Sequence, residues 1–338
     1  MEREVEHDDT AYGFVWGTVD GTYFLREPDG GFRTVNRAVV DLLTAVARGS
    51  VPLPKLREQA DGGTVVVETA GTTAEEALAL VESYIESGVF REGDPVVRLV
   101  PPAGVRLWPR VGLFVCLVAV VAVGVAHVLP SLSSAFLAGL TVVDVVAAVG
   151  LAAAYVAVHE LGHYAVSAHH FDPSIRVDLV NGVLPAVVTD TTGAWMLPRS
   201  RRVWVNLAGP LLELVAALPL VALAFLDPGS RLVTLVLLTV AGHVVFALNP
   251  LIHGDGYWIV CDWLGLENVR TDGIEDLRNR RLSWRAAYVT VSYAFGVGLL
   301  VNLVWVLTAV SGLLVVVPVV GLGAVFALAR SDIEVQPW

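Results

Sequence analysis

The chain has 338 residues, of which 55% are hydrophobic, and its formal net charge at pH 7 is −11. A mean hydropathy of +0.66 excludes an ordinary soluble protein of this length. The two cysteines, Cys116 and Cys261, lie far apart in or beside apolar segments, which excludes a disulfide framework and a cysteine-ligated zinc site.

Acidic residues are concentrated near the N-terminus. Residues 1–100 contain 18 Asp and Glu and 9 Lys and Arg, whereas the rest of the chain contains 15 acids and 13 bases. This acidity argues against nucleic acid or an anionic lipid surface as the partner of the N-terminal part. The opening MEREVEHDDT is charged, so it is not a signal peptide. We therefore predict a soluble domain at 1–100, followed by a membrane domain.

The N-terminal domain is predicted to be a small α+β domain that resembles a winged helix. Three segments within 12–35, YGFVW, TYFLRE and GFRTV, alternate apolar and polar residues and are separated by turn sequences, as in antiparallel strands. An amphipathic helix follows between Asn36, a plausible N-cap, and Gly49. A second helix opens at Thr73 with a capping-box pattern.

Six apolar runs long enough to cross a bilayer follow a linker predicted at 101–110. They lie at 111–129, 136–163, 203–226, 232–252, 286–310 and 312–329. With the N-terminus inside, every inner loop contains arginine, while the outer loops contain only Arg231, in accord with the positive-inside rule. The predicted fold is mainly α: a polytopic membrane helical bundle at 111–330 in the cell membrane, with the N-terminus, the active-site side and a tail at 331–338 in the cytoplasm.

The sequence VHELGHYA places His159 and His163 four residues apart at the inner end of the second predicted span, with Glu160 beside the first. Residues i and i+4 share one face of a helix, so the two imidazoles can bind one zinc ion, and Glu160 can take a proton from its bound water. Ionisable groups are costly in a membrane helix and usually functional. Three of them at this spacing favour a metal site over chance.

A catalytic zinc site needs a third protein ligand, and the segment FALNPLIHGDGYW contains Asp255. Pro250 breaks the fourth span after Asn249, and the glycines on both sides of Asp255 permit an irregular backbone close to another group. The inner ends of the second and fourth spans lie at one depth, which places Asp255 level with the histidines. We therefore predict that Asp255 is the third ligand.

Other polar residues near these motifs have weaker or competing interpretations. His253 is the real competitor of Asp255 as ligand, and Glu213 is expected to lie too deep in the third span to reach the site. Asp190 lies in a polar, turn-like stretch and is predicted to face the substrate. Asn249 is equally well explained as a hydrogen-bond donor to the substrate and as a helix C-cap. Packing or a hydrogen bond between helices explains His243.

HELGH at the end of one membrane helix, and NPLIHGDG after a later one, resemble the site-2 protease family of intramembrane zinc metalloproteases. LPAVVTDTTGAWMLPRSRRVWVNLAGPLLEL and NPLIHGDGYWIVCDWLGLENVR are similar to its peptide zinc metalloprotease branch. The resemblance covers about residues 150–275. It implies an intramembrane endopeptidase with Zn²⁺ as cofactor and a peptide or transmembrane-protein substrate. At Glu213 the sequence departs from the family, because many relatives have asparagine there.

Several functional alternatives stay open. The N-terminal domain resembles winged-helix domains that bind leader segments of modified peptides by adding a strand to a sheet edge, but a domain that only stabilises or dimerises the enzyme is equally compatible. For the membrane domain, the rivals of the protease are an ion or metal transporter and a non-catalytic zinc-binding receptor. The expected partners are substrate and lipid bilayer, with no nucleic acid; the sequence leaves the oligomeric state open.

Overall fold

The computed structural model describes residues 2–7, 10–28, 30–61, 66–67, 71–133, 135–136, 139–180, 184–266 and 269–310. The chain is mainly helical with a small N-terminal sheet region. It divides into two compact units: the first is Met1–Arg106 with Ser167–Pro173 and Thr191–Arg202, and the second contains the other residues from Leu107 onward. The predicted span 312–329 and tail 331–338 lie outside the described residues.

The first unit contains a mixed five-stranded sheet. The strands of this unit in chain order are β1 (Glu2–His7), β2 (Tyr12–Gly13), β3 (Val15–Val19), β4 (Thr22–Arg26), β5 (Phe32–Val35), β6 (Val66–Val67), β7 (Thr72–Thr73), β8 (Arg91–Glu92) and β9 (Val96–Val100). Five of them form the larger sheet, while β2 pairs with β8 and β6 with β7 in separate two-stranded sheets. The sheet order is β1-β9-β3-β4-β5, with β9 parallel to β3 and the other neighbours antiparallel. The alternating segments predicted within 12–35 thus form the strands β3, β4 and β5.

Three helices pack on this sheet region: α1 (Arg37–Ala47), α2 (Leu53–Asp61) and α3 (Ala74–Glu86). Both predicted caps are present, since the Asn36 side chain accepts from Val39 N at 3.0 Å and Thr73 forms a capping box with Glu76. The apolar faces of the helices and the sheet share one core of fully buried side chains, including Leu25, Leu43 and Val81. The sequence pattern did not predict α2, whose nine residues are mostly polar.

In its described residues, the second unit is helical apart from one hairpin. Its helices are α4 (Leu107–Val128), α5 (Val142–Ser167), α6 (Arg199–Leu226), α7 (Arg231–Ala247), α8 (Asp255–Leu264), α9 (Val269–Arg278) and α10 (Trp284–Val310), although the last residue of α5 and the first four of α6 group with the first unit. The hairpin pairs β10 (Ser174–Val180) with β11 (Leu184–Asp190) in antiparallel register. It connects α5 to α6 and so follows the HELGH segment in the chain.

Three helical segments of the described chain are long and apolar enough to cross a membrane: Leu107–Ser131, Val142–Ser167 and Arg199–Leu226. On α5, Val143, Val146 and Val149 are 76%, 65% and 65% exposed, which is apolar surface that suits lipid rather than water. The structure therefore supports three membrane-crossing helices by length and composition. The six-span bundle stays a prediction.

The helix ends differ from the predicted spans in ways that local chemistry explains. Helix α4 begins at Leu107, inside the predicted linker, because Pro109 in the first turn needs no intrahelical N–H bond. Helix α7 has 17 residues and ends at Ala247, ahead of Pro250, so it is shorter than the predicted fourth span. Helix α10 starts at Trp284 and covers the predicted fifth span.

Candidate metal centre

The three predicted ligands converge near the C-terminal end of α5. The Nε2 atom of His159 lies 2.9 Å from Asp255 Oδ2, and His163 Nε2 lies 3.1 Å from His159 Nε2 and 3.3 Å from Asp255 Oδ1. Ligand atoms bound to one tetrahedral zinc ion are about 3.3 Å apart, given bond lengths of about 2.0–2.1 Å. The spacing of these three groups therefore fits a shared metal ion.

The hydrogen-bond partners of the histidines assign their tautomers. His163 Nδ1 lies 2.8 Å from the carbonyl oxygen of Val205, and His159 Nδ1 lies 2.8 Å from Glu213 Oε2. Both oxygens only accept, so each Nδ1 donates its proton to them, and a metal ion on the opposite side would meet the lone pair of each Nε2. Two lone pairs and the Asp255 carboxylate then face one another. A divalent cation matches this donor set, because two imidazole nitrogens and a carboxylate are common ligands of zinc.

Close helix packing brings the second histidine into place. A Cβ atom on Gly162 would lie closer than 3.0 Å to the carbonyl oxygen of Ala208, so α5 and α6 are in backbone contact at this point. A Cβ atom on Gly209 would lie closer than 3.0 Å to His163 Nε2. The His163 ring therefore occupies space that only a glycine on α6 leaves open.

Asp255 reaches the histidines from the first turn of α8. The irregular backbone predicted around it covers the turn between Leu248 and Gly254, and Asp255 itself is the first helical residue. A Cβ atom on Gly256 would lie closer than 3.0 Å to the carbonyl oxygen of Leu248. This glycine thus allows the start of α8 to press against the end of α7, which directs the short carboxylate of Asp255 towards α5.

Glu160 lies beside the two histidines and is tied to the hairpin. Its Oε2 accepts a hydrogen bond from Thr189 N at 2.6 Å, while Thr189 Oγ1 donates to the Glu160 carbonyl oxygen at 3.0 Å. One side-chain ligand atom from each of His159, Glu160 and His163 lies within 4.8 Å of the others. The carboxylate is therefore adjacent to the predicted metal position and held in one orientation by β11.

Glu213 lies in the site, contrary to the expectation that it would be too deep. It is fully buried, its Oε2 contacts His159 Nδ1 at 2.8 Å, and both its oxygens lie 2.9 Å from His243 Nδ1. The depth expectation failed because it counted residues along α6 alone. Helices α5 and α6 run antiparallel, so the turn from Gly209 to Glu213 matches the turn from His163 to His159.

His243 is the site residue that sequence reasoning did not assign to the centre. A hydrogen bond between helices was expected for it, and the structure supplies Glu213 as the partner. One signal in the sequence points to this pair. A carboxylate in an apolar helix needs a donor, and α7 contains one ionisable side chain other than the terminal Arg231, which is His243.

The remaining predicted site residues lie around the centre without joining it. His253 packs its ring against Tyr257 and Trp258, with centroids 4.9 and 5.2 Å apart, and burial, followed by the charge of Arg270, lowers the pKa of His253 to about 4. Asp190 adjoins Thr189 in β11 and pairs with Arg176 at 3.6 Å. Asn249 Oδ1 accepts from Leu251 N at 2.9 Å, so this oxygen stabilises the turn after α7.

The packing of His163 against Gly209 yields a direct prediction. Gly209→Ala is expected to displace the imidazole and lower the zinc content of the purified protein at least tenfold, although alanine is favoured over glycine in helices by about 1 kcal/mol. Gly242→Ala on α7 is the matched control, because a Cβ atom there meets nothing within 4 Å. Metal analysis of both variants checks this; equal zinc in the two would contradict the close contact.

Comparison of the chain with protein-family models, with curated proteins and with solved structures gives no match. The resemblance of its two motifs to the site-2 proteases therefore stays a prediction. What the chain does must be inferred from the groups that meet around His159 and from the chemistry that these groups can perform.

Proposed function

We propose that the chain is an intramembrane zinc endopeptidase similar to the site-2 protease family, which cleaves membrane-associated peptides or transmembrane segments. One observation carries the proposal: two imidazole nitrogens and the Asp255 carboxylate face one another within 3.3 Å, with Glu160 next to them, at the end of an apolar helix of 26 residues. Two histidines, one carboxylate and an adjacent glutamate form a donor set used for hydrolysis.

Each group has a distinct role in the proposed reaction. His159, His163 and Asp255 would hold the zinc ion, which supplies a Lewis acid that polarises the scissile carbonyl and makes water more acidic. Glu160 accepts the proton of the attacking water and returns it to the leaving amine. The hydrogen bond from Thr189 N keeps the Glu160 carboxylate in place and leaves this side chain outside the ligand set.

The hairpin offers an edge on which the substrate can unfold. Thr189 pairs with Ile175 in the register, yet its N–H points to Glu160, so Thr189 and Val187 direct their backbone groups away from β10. Among the described strands none pairs with this edge of β11. A substrate strand added there would have its carbonyls exposed next to Glu160, which cleavage requires because a helix buries its own backbone bonds.

The membrane arrangement of the proposal follows the arginine distribution. Six spans, with the N-terminus and the metal centre on the cytoplasmic side of the cell membrane, place the arginine-containing loops inside. Helices α4, α5 and α6 match the first three of these spans. The centre would then lie at the inner end of α5, where water and the hairpin are within reach.

Glu160→Gln is expected to abolish cleavage and leave zinc bound, because the glutamate lies beside the ligands and only proton transfer is lost. Membrane peptides from cells that express the wild type or the variant are compared by mass spectrometry, together with zinc content. His159→Ala is the control that loses both. Equal metal loss in the two variants would contradict the role of Glu160, and zinc binding without any cleavage product would favour a receptor or a transporter.

Asp255→Ala is expected to strip zinc as thoroughly as His163→Ala, because it removes the carboxylate that faces both Nε2 atoms. His253→Ala is the matched control two residues away, and it should retain zinc since its ring packs against aromatic side chains. Metal content after purification checks both. Full zinc in Asp255→Ala would reject this ligand and the strongest link to the protease family.

Val187→Pro is expected to raise the KM of a peptide identified by the Glu160→Gln comparison roughly three- to tenfold, the value of one lost hydrogen bond. Ile175→Pro is the matched control, because it removes an outward N–H from the opposite edge of the same hairpin. Steady-state kinetics checks both variants. An equal KM for the two would exclude strand addition at β11.

A further inference from the structure

The buried carboxylate of Glu213 contacts two imidazole groups, and it has no role in the proposed reaction as described so far. One oxygen lies 2.8 Å from Nδ1 of the zinc-ligand candidate His159, and His243 Nδ1 lies 2.9 Å from both oxygens. The carboxylate is 0% exposed, in a helix apolar enough to cross a membrane. An anion so placed is costly unless both hydrogen bonds and a nearby positive charge offset the desolvation.

The positive charge that fits is the divalent cation on the other side of the same imidazole. His159 stands between two carboxylates: Glu213 faces its Nδ1 and Asp255 faces its Nε2. One divalent ion offsets the charges of Glu213 and Asp255, so His159 and His163 can both stay neutral. A histidine that binds metal through one nitrogen and donates its other N–H to a carboxylate has a fixed tautomer and a more basic ligand nitrogen.

We propose that Glu213 and His243 are positioning residues of the metal centre: they fix the ring and tautomer of His159 and set the affinity of the centre for its ion. Glu213 acts through His159, and His243 acts through Glu213 by holding the carboxylate from α7. This inference rests on the proposed function, because it takes the Nε2 side of His159 as the metal position. The protease family often has asparagine at the position of Glu213. In this chain the glutamate adds a negative charge next to Nδ1 of His159.

A rival arrangement uses the same residues as the metal site itself, since His159, Glu213 and His243 also bring one ligand atom each within 4.8 Å of the others. The hydrogen-bond donors and acceptors available on each side of His159 separate the two arrangements. Around Glu213, two Nδ1–H groups meet one acceptor group, so every partner is satisfied without an ion. On the other side, His159 Nε2 and His163 Nε2 lie 3.1 Å apart, so both cannot carry a proton there, whereas an ion that accepts both lone pairs removes this conflict. The ion therefore belongs on the Nε2 side.

The test measures metal binding by the full-length protein in detergent, with Zn²⁺ in competition with a chelator and Co²⁺ as a spectroscopic probe. Glu213→Gln keeps the size of the side chain and removes its charge, so we expect roughly 10- to 100-fold weaker binding of Zn²⁺ and a shifted visible spectrum of bound Co²⁺. His243→Leu should weaken binding as well, and His243→Gln, whose amide can donate to Glu213, should recover part of the loss.

Asp262→Asn is the matched control, because Asp262 is a second buried carboxylate in the same unit, 7% exposed, with Asn206 Nδ2 as a partner at 3.3 Å. It should keep wild-type affinity and the wild-type Co²⁺ spectrum. If Glu213→Gln is not monodisperse, the two His243 variants decide in its place, since recovery by glutamine but not by leucine separates positioning from packing.

The outcomes distinguish this inference from the proposed function. Wild-type affinity and spectrum in Glu213→Gln, with metal lost in His163→Ala, would overturn the positioning role and leave the zinc centre intact. Metal lost in His243→Leu but kept in His163→Ala and Asp255→Ala would place the ion on the Glu213 side and overturn both. A wild-type protein that binds neither Zn²⁺ nor Co²⁺ would overturn both as well.

Discussion

The arrangement of the second unit depends on one buried ring, the imidazole of His159, which contacts carboxylates from two different helices through its two nitrogens. Charged groups cannot stay in an apolar bundle without partners, so this one side chain couples the positions of α5, α6 and the start of α8. His243 extends the coupling to α7 through Glu213. Each helix that brings a polar group to the centre is thus located by a short hydrogen bond as well as by apolar packing.

Small residues make this polar centre possible. Larger side chains at the contact between α5 and α6 would widen the spacing of the two helices, because Cβ atoms on Gly162 and Gly209 would overlap the Ala208 carbonyl oxygen and the His163 ring. Gly162 and Gly209 avoid that overlap, and the freed volume is filled by the imidazole. Helix packing and metal-ligand geometry therefore depend on the same two positions. A larger side chain there would displace the metal-binding groups more than it would disturb the rest of the bundle.

The sequence predicts the parts of the centre that depend on local geometry. The face shared by His159 and His163 follows from helical periodicity, and the break around Asp255 follows from the local conformational preferences of proline and glycine. Glu213 and His243 were not assigned to it because their role depends on the relative register of three helices, which packing sets and which no spacing along one helix reveals. The link between Thr189 and Glu160 is of the same kind, since it depends on how the hairpin folds back on α5.

The position of the hairpin bears on how a membrane protease can meet its substrate at all. A peptide bond inside a transmembrane helix is hidden because its carbonyl is bonded within the helix, and opening those bonds in lipid costs several kcal/mol for each unsatisfied group. Strand β11 places outward-facing backbone groups beside Glu160, so in the proposed reaction bonds to this edge would replace some of the helical bonds that open. The Thr189 N–H that fixes the Glu160 carboxylate belongs to the same strand, so in the proposed reaction β11 would orient both the base and the substrate. In the proposed reaction, both the orientation of Glu160 and the unwinding of the substrate would depend on the contact between α5 and β11.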